Sequence, residues 1–168
     1  MPYEKLKDLT RGNFSNVIAD SDEVPPAQVR RVVFCSGKVY FDLLKARRKE
    51  SLREVALVRI EQLYPFPKDE YEAVLRKYAN ASELVWCQEE PQNQGAWYQI
   101  RHRLQEIAGD ARDVLYAGRA PAAAPATGLT KIHEMEQAGL VHAALHASAL
   151  AETVTLPSAT ATPLRKSS

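Results

Sequence analysis

A chain of 168 residues with 45% hydrophobic and 26% charged content holds apolar material for one globular core and not for two. Its 22 basic and 21 acidic residues are interspersed and leave a formal net charge of +1, which excludes a polyanion-binding surface for nucleic acid or an anionic membrane as its main function. No continuous apolar run approaches membrane-spanning length, and the stretch MPYEKLKDLTRG lacks the apolar segment of a secretory signal, so the chain is expected to be soluble and not secreted.

Residues 1–30 show little periodicity, and SDEVPPAQVR within them is acidic and then proline-rich, the composition of an arm or linker arriving from a preceding domain. RVVFCS, residues 31–36, is a short β-branched and aromatic run closed by Gly37 and predicts a buried strand. A helix follows from Val39, with Val39, Tyr40, Leu43 and Leu44 on its apolar face and Arg47 covering that face with its stem. VALVRI, residues 55–60, is a second strand; the prolines of EQLYPFP then precede a helix over 68–78 that presents Tyr71, Val74, Leu75 and Tyr78. ELVWCQ, residues 83–88, is a third strand, and Trp97, Ile100, Leu104 and Ile107 recur at helical spacing over 96–107. DVLYAG, residues 113–118, is a fourth strand. RAPAAAPATG, residues 119–128, is interrupted by proline and ended by Gly128, before a last helix over 130–146 that Thr130 caps. The small, polar, proline-interrupted stretch 147–168 reads as a disordered tail, which leaves 31–146 as the folded domain.

Strict alternation of strands and helices predicts an α/β fold: a doubly wound, mostly parallel sheet covered on both faces, hence three layers. In such sheets, binding and interface groups gather at the carboxyl ends of the strands. Those ends are Ser36 and Gly37, Glu61 and Gln62, Glu89 and Glu90, and Gly118 and Arg119.

The candidate chemistry at these ends is sparse. CSGKV offers backbone N–H groups at a helix start, but without GxxxxGK[ST] or GxGxxG it reads as a helix start with a close-packed glycine. Adjacent Glu89 and Glu90 are candidates for a general acid and base with separated pKa values. The favoured reading of Glu90 is instead that it caps or hydrogen-bonds the NQGAW turn, while Glu89 stands open between a structural role and an interface contact. His142 and His146 stand four apart on a helix without a third ligand and read as helix surface. Tyr64, Phe66, Tyr71 and Tyr78 read as packing of the second helix on the sheet. Cys35 and Cys87 form neither a CxxC pair nor a Cys/His cluster and read as reduced core thiols, able to pair only if neighbouring strands brought them together. No Ser-His-Asp or Cys-His arrangement is present.

The order RVVFCSGKVYFDLLKARR, VALVRIEQLYPFP, VWCQEEPQNQGAW, then YAGRAPAAAPATG with KIHEMEQAGLV resembles the C-terminal region of the 2-oxoglutarate dehydrogenase first, decarboxylating component, from about Leu6 to Leu145. The 2-oxoadipate dehydrogenase component is similar here. More distantly, the layout resembles the third domain of the transketolase superfamily, a doubly wound sheet in which a strand ending in two acidic residues precedes a glycine-containing helix start. The resemblance implies a parent that decarboxylates 2-oxoglutarate oxidatively with thiamine diphosphate and Mg²⁺ and passes a succinyl group to the lipoyl group of a partner acyltransferase. It places that cofactor and metal on the first two domains of a homodimer, whose GDG…N motif and activating Glu have no counterpart in this chain. No catalytic, cofactor-binding or metal-ligating residue is therefore expected here, and the implied role is assembly: bracing the preceding domains and a second subunit through the carboxyl edge. On that reading Glu89, Glu90, Asn93, Gln94 and Gly95 form a rigid turn at a domain or subunit contact. Ser36, Gly37 and Glu61 share the edge, Gly118 and Arg119 match the family's YxGR turn, and His133 matches its final helix. The implied location is the mitochondrial matrix in a eukaryote and the cytoplasm in a bacterium. A free-standing, non-catalytic module that docks on or regulates a 2-oxoacid dehydrogenase complex is the alternative, and nucleotide binding at the SGK turn a third reading.

Overall fold

Runs of β-branched and aromatic residues decide where the sheet lies. In the computed structural model, which describes residues 14–123 and 130–146, the strands are β1 (Val17–Ile18), β2 (Arg31–Cys35), β3 (Val55–Ile60), β4 (Glu83–Pro91) and β5 (Val114–Arg119). The helices are α1 (Val39–Glu50), α2 (Lys68–Lys77), α3 (Trp97–Ala108) and α4 (Thr130–Leu145). They build one sheet in the order β1-β3-β2-β4-β5, parallel throughout except for β1, which runs antiparallel along β3. The chain is thus an α/β protein with a mostly parallel sheet between two helical layers. The expected tail beyond residue 146, the Gly128 turn and the Thr130 side chain lie outside the described residues.

Helices on both faces explain why every residue of β2 is buried and why its sequence shows no alternation of apolar and polar residues. Against one face, α2 and α3 pack Tyr71, Leu75, Trp97, Ile100 and Leu104 onto Val32, Phe34, Val58 and Trp86. Against the other, α1 and α4 pack Val39, Leu43, Leu140 and Ala144 onto Val33, Cys35, Leu57 and Val85. Tyr71 and Tyr78 are buried and Phe66 packs edge-on against Tyr71, as the spacing predicts, whereas Tyr64 departs from that group. Its ring is 83% exposed, because the loop between β3 and α2 turns it outward.

Two features go beyond the sequence reading. The arm contributes β1, which pairs Val17 with Ile60 and Ile18 with Arg59 and so covers one edge of the sheet. Arg47 uses its guanidinium as well as its stem. It is 2% exposed, it donates to Val55 O at 3.1 Å, and it meets the carboxylates of Asp20 and Asp22 from the arm. Asp20, whose side chain is 1% exposed, also accepts from the backbone N–H of Leu57 at 2.7 Å. The arm is clasped to the core by a buried ion pair whose remaining lone pairs are filled, the condition under which such a pair holds.

At the far end, Arg31 on β2 bonds Glu83 at 2.7 Å and donates to the carbonyls of Ala143 and Ala144 at 3.3 and 2.9 Å. These lie in the last turn of α4, where carbonyls lack helical partners and the helix dipole favours a cation. Cys35 and Cys87 are register partners on β2 and β4, both buried and both free thiols. Burial pushes the Cys35 thiol up to about 12 and the Cys87 thiol well above its ordinary range.

Candidate functional site

From β2 the chain crosses to β3 on one side and then returns past β2 to β4 on the other. The carboxyl ends of β2 and β4 therefore flank the point where the winding reverses, the usual place for a crevice in an open α/β sheet. A cleft of about 680 Å³ lies there. Its lining includes the buried Trp86 and Ile100, together with Ser36, Gly37, Tyr64, Glu90, His102 and Arg103.

One buried side chain organises the rim. Gln88, 3% exposed, directs its amide nitrogen at the carbonyls of Gln94 (2.8 Å), Glu90 (3.2 Å) and Pro91 (3.2 Å), so that three acceptors share two protons. Its oxygen accepts from the Trp86 indole at 2.9 Å and from the backbone N–H of Trp97 at 3.0 Å. The second bond satisfies a donor that the first turn of α3 leaves without a helical partner. Gln88 thus closes the EEPQNQG turn and starts the following helix. The turn is also tied sideways to the segment after β5: Asn93 exchanges two 3.0 Å bonds with Ala122, Gln94 adds another at 3.1 Å, and Gln92 N–H donates to Arg119 O at 3.0 Å.

Two glycines make this closeness possible. Gly95 has φ +70°, and a Cβ there would stand 3.0 Å from both Gln88 Nε2 and the Glu90 side chain. At Gly118 a Cβ would fall 2.3 Å from the Tyr116 hydroxyl and 3.0 Å from Gln88 O. That hydroxyl lies 3.2 Å from Arg119 O and 3.4 Å from Glu90 O, and burial raises its pKa.

The neighbouring carboxylates at the end of β4 part company, as successive strand residues do. Glu89 turns to the α1/α4 face, where it accepts from Gln137 at 2.9 Å and pairs with Lys38 at 3.3 Å. Gln137 also bonds Asp42 at 2.9 Å. Glu90 turns to the α2/α3 face and lines the cleft. The two carboxylates share no hydrogen-bond partner among the described residues. The expectation that Glu90 holds the NQGAW turn by its carboxylate is corrected: that carboxylate is exposed and has no hydrogen bond among the described residues, and the Gln88 amide does the holding.

The remaining predicted residues take separate places on the edge. Glu61 pairs with Arg59 at 2.8 Å and receives a long bond, 3.4 Å, from Gly37 N–H. Arg119 lies 2.8 Å from His133 Nδ1. Its Nε stands 3.4 Å from Glu136, an ion-pair distance without hydrogen-bond alignment. Ser36, Gly37, Glu90 and Gly95 therefore share the cleft, Glu89 lies behind it, and Arg119 and His133 form a third group under α4. Sequence reasoning passed over Gln88 because a polar residue after an apolar run reads as the end of a strand; the signal was its place two residues after Trp86 and just ahead of a glycine turn.

His142 on α4 and His146 just past its end stack with ring centroids 4.5 Å apart, and His146 meets Glu50 at 2.8 Å. Among the described residues no three His, Cys, Asp or Glu side chains converge on a point that would hold a metal ion. No described helix is long and apolar enough to cross a membrane.

The family model for the 2-oxoglutarate dehydrogenase C-terminal region matches residues 4–145. The chain belongs to the 2-oxoglutarate dehydrogenase C-terminal family. Among its relatives, the 2-oxoglutarate dehydrogenase E1 component of Cupriavidus necator is 47% identical over 139 residues, 83% of this chain and 15% of that protein. The E1 component of Haemophilus influenzae is 47% identical over 145 residues, 86% of this chain and 16% of that one. The 2-oxoglutarate dehydrogenase-like, mitochondrial protein of Xenopus laevis is 46% identical over 130 residues, 76% of this chain and 13% of its own. This member of the family thus spans about 15% of the curated relatives it matches. Its EEPQNQG turn and cleft sit at the edge where the sequence places Ser36, Gly37, Glu61 and Glu89.

Proposed function

We propose that this chain serves as the C-terminal assembly domain of a thiamine-diphosphate-dependent 2-oxoglutarate dehydrogenase E1 component. The observation that carries this reading is the Gln88-centred turn: a buried amide, two tight glycines and four bonds from Gln92, Asn93 and Gln94 to Arg119 and Ala122 make a stiff carboxyl edge without a catalytic constellation. A rigid edge of this kind suits a contact surface, since little conformational freedom is lost when a partner covers it.

The parent reaction is oxidative decarboxylation of 2-oxoglutarate in the tricarboxylic acid cycle, with succinyl transfer to the lipoyl group of an acyltransferase partner. Thiamine diphosphate and Mg²⁺ supply the carbanion chemistry on the preceding domains of a homodimer. The described residues do not fit that group: Glu61 and Glu89 are occupied by Arg59 and by Lys38 and Gln137, and Glu90 stands without two further His, Cys, Asp or Glu side chains to hold a metal ion with it. Their part is to hold the edge in shape and charge balance. The compartment follows the parent: mitochondrial matrix in a eukaryote, cytoplasm in a bacterium.

The test is a chimera in which this chain replaces the matching segment of the Cupriavidus necator E1 component. The expected result is a dimer that oxidises 2-oxoglutarate at a rate comparable to the parent enzyme. A soluble, folded chimera that does not turn over 2-oxoglutarate would sink the assignment.

A further inference from the structure

The two halves of α4 are held to the sheet by different chemistry. In the second half Leu140, Val141, Ala143, Ala144 and Leu145 are buried in one cluster with Val33, Leu57 and Val85, and Arg31 donates to carbonyls of the last turn. In the first half none of the described side chains is buried outright, and the half-buried positions, spaced i, i+3 and i+4, are His133, Glu136 and Gln137. Their partners are polar as well. His133 Nδ1 meets Arg119 at 2.8 Å, Glu136 stands 3.4 Å from Arg119 Nε, and the Gln137 amide donates to Asp42 and to Glu89, each at 2.9 Å.

That polar seat is incompletely paired. Among the described residues five buried side-chain nitrogen or oxygen atoms lack a hydrogen-bond partner, and Arg119 Nε, Glu136 Oε2 and Gln137 Oε1 are three of them. A buried polar atom left unpaired costs at least as much as a typical hydrogen bond gains on balance, so closing the first half against the sheet brings little net stability. Gly139 stands at the boundary between the halves. A Cβ there would meet nothing within 4 Å, so no close approach demands a glycine, and a glycine inside a helix weakens it relative to alanine. The helix is thus weak where its apolar seat ends.

We infer that residues 133–138 form a half-helix that unwinds as one unit, up to Gly139, while the second half of α4 stays on the sheet. Local opening needs few buried apolar contacts and a position that absorbs the backbone change, and both coincide here. Opening bares Arg119, whose side chain is 9% exposed when closed, and frees Glu89 from Gln137 at the carboxyl edge. The open edge presents a guanidinium that can grip a carboxylate by two parallel bonds, and the closed edge hides it. The device stands apart from the assembly reading above, because its test reads no enzyme activity.

The test is amide hydrogen exchange of the 168-residue chain, resolved to single residues by fragmentation in the mass spectrometer. Amides 134–138 are expected to exchange together, at least about tenfold faster than 142–145, and at a rate that urea below the unfolding transition leaves unchanged, since the opening exposes little surface. Equal protection along α4 would make the helix one unit and overturn the proposal. Gly139→Ala separates opening of the whole half from fraying of the first turn. If the opening reaches position 139, alanine slows exchange about fivefold at 134–138 as well as at 142–145. Slowing at 142–145 alone would confine the opening to the helix end and overturn the proposal too. Arg119→Met removes the polar seat from the β5 side without altering the helix sequence. It is expected to speed exchange at 134–138 about tenfold and to leave 142–145 within about twofold of the parent. Equal acceleration of both groups, or none at 134–138, would show that Arg119 does not govern the half-helix.

Discussion

Gln88 carries more of this structure than either glutamate beside it. Replacing it by Leu keeps the bulk but strips partners from the Trp86 indole, the Trp97 N–H and the carbonyls of Glu90, Pro91 and Gln94. Each buried group left unpaired costs about 1–3 kcal/mol, so Gln88→Leu is expected to lower stability by at least about 3 kcal/mol in urea unfolding. Gly95→Ala, which must hold φ +70° against Gln88 and Glu90, is expected to cost about 1–2 kcal/mol or more in the same measurement. A loss under about half a kcal/mol for either would show that the turn is not the rigid body described. Asp22 gives the acid behaviour a defined window. Hydrogen bonds from Arg48, and then from Arg47, hold its carboxyl at about 2 against an ordinary 3.8. A depressed folded-state pKa adds stability above the ordinary value, and that stability is lost as pH falls from 3.8 toward 2, where the unfolded chain takes up a proton that the folded chain does not. Asp22→Asn should therefore be less stable than the parent at neutral pH, and the gap between their melting temperatures should close toward pH 2. A gap that stays constant across that range would overturn the linkage.

At the scale of elements, the arm behaves as part of the sheet. Asp20→Ala leaves the Arg47 guanidinium buried with one carboxylate partner removed, and breaking such a pair costs about 3–5 kcal/mol, so the variant is expected to melt far below the parent in circular dichroism. A variant that melts with the parent would mean that the clasp is incidental. The arm was also the least legible part of the sequence. The ladder of β1 is two residues long and makes no periodic signal, and SDEVPPAQVR has the composition of a linker although its Asp22, with Asp20 just before it, grips Arg47 and Arg48. The central strands were legible because RVVFC and VALVRI must satisfy two apolar faces at once, which demands unbroken β-branched and aliphatic runs. β4 was read three residues short, since Glu89, Glu90 and Pro91 look like a loop while their backbone continues along β5 through an irregular register. Residues of the candidate site were found by their position at the strand ends, but which of them meet could not be read from spacing alone. Glu89 and Glu90 are neighbours in sequence and serve opposite faces.

For the whole molecule, Cys35 and Cys87 report on cooperativity. They lie side by side on the two central strands, each fully buried, and one face of the sheet cannot open around them without disturbing the helices that cover it. Their raised pKa values keep both as neutral thiols near pH 7, so alkylation must wait for an opening that exposes them to water. If the sheet and its two helical layers form one cooperative unit, that opening is global unfolding, and its population sets the labelling rate when reclosing is fast. Both thiols should then react with iodoacetamide at a common rate, and that rate should rise as stability falls. Gly95→Ala lies on the far face of the sheet from the α1/α4 layer that covers the cysteines, yet a loss of about 1.4 kcal/mol there is expected to speed labelling of both about tenfold. Peptide mass spectrometry on a labelling time course separates the two sites. Acceleration at Cys87 alone would locate a local opening at the end of β4, and no acceleration at either would show that the cleft turn and the central strands unfold independently.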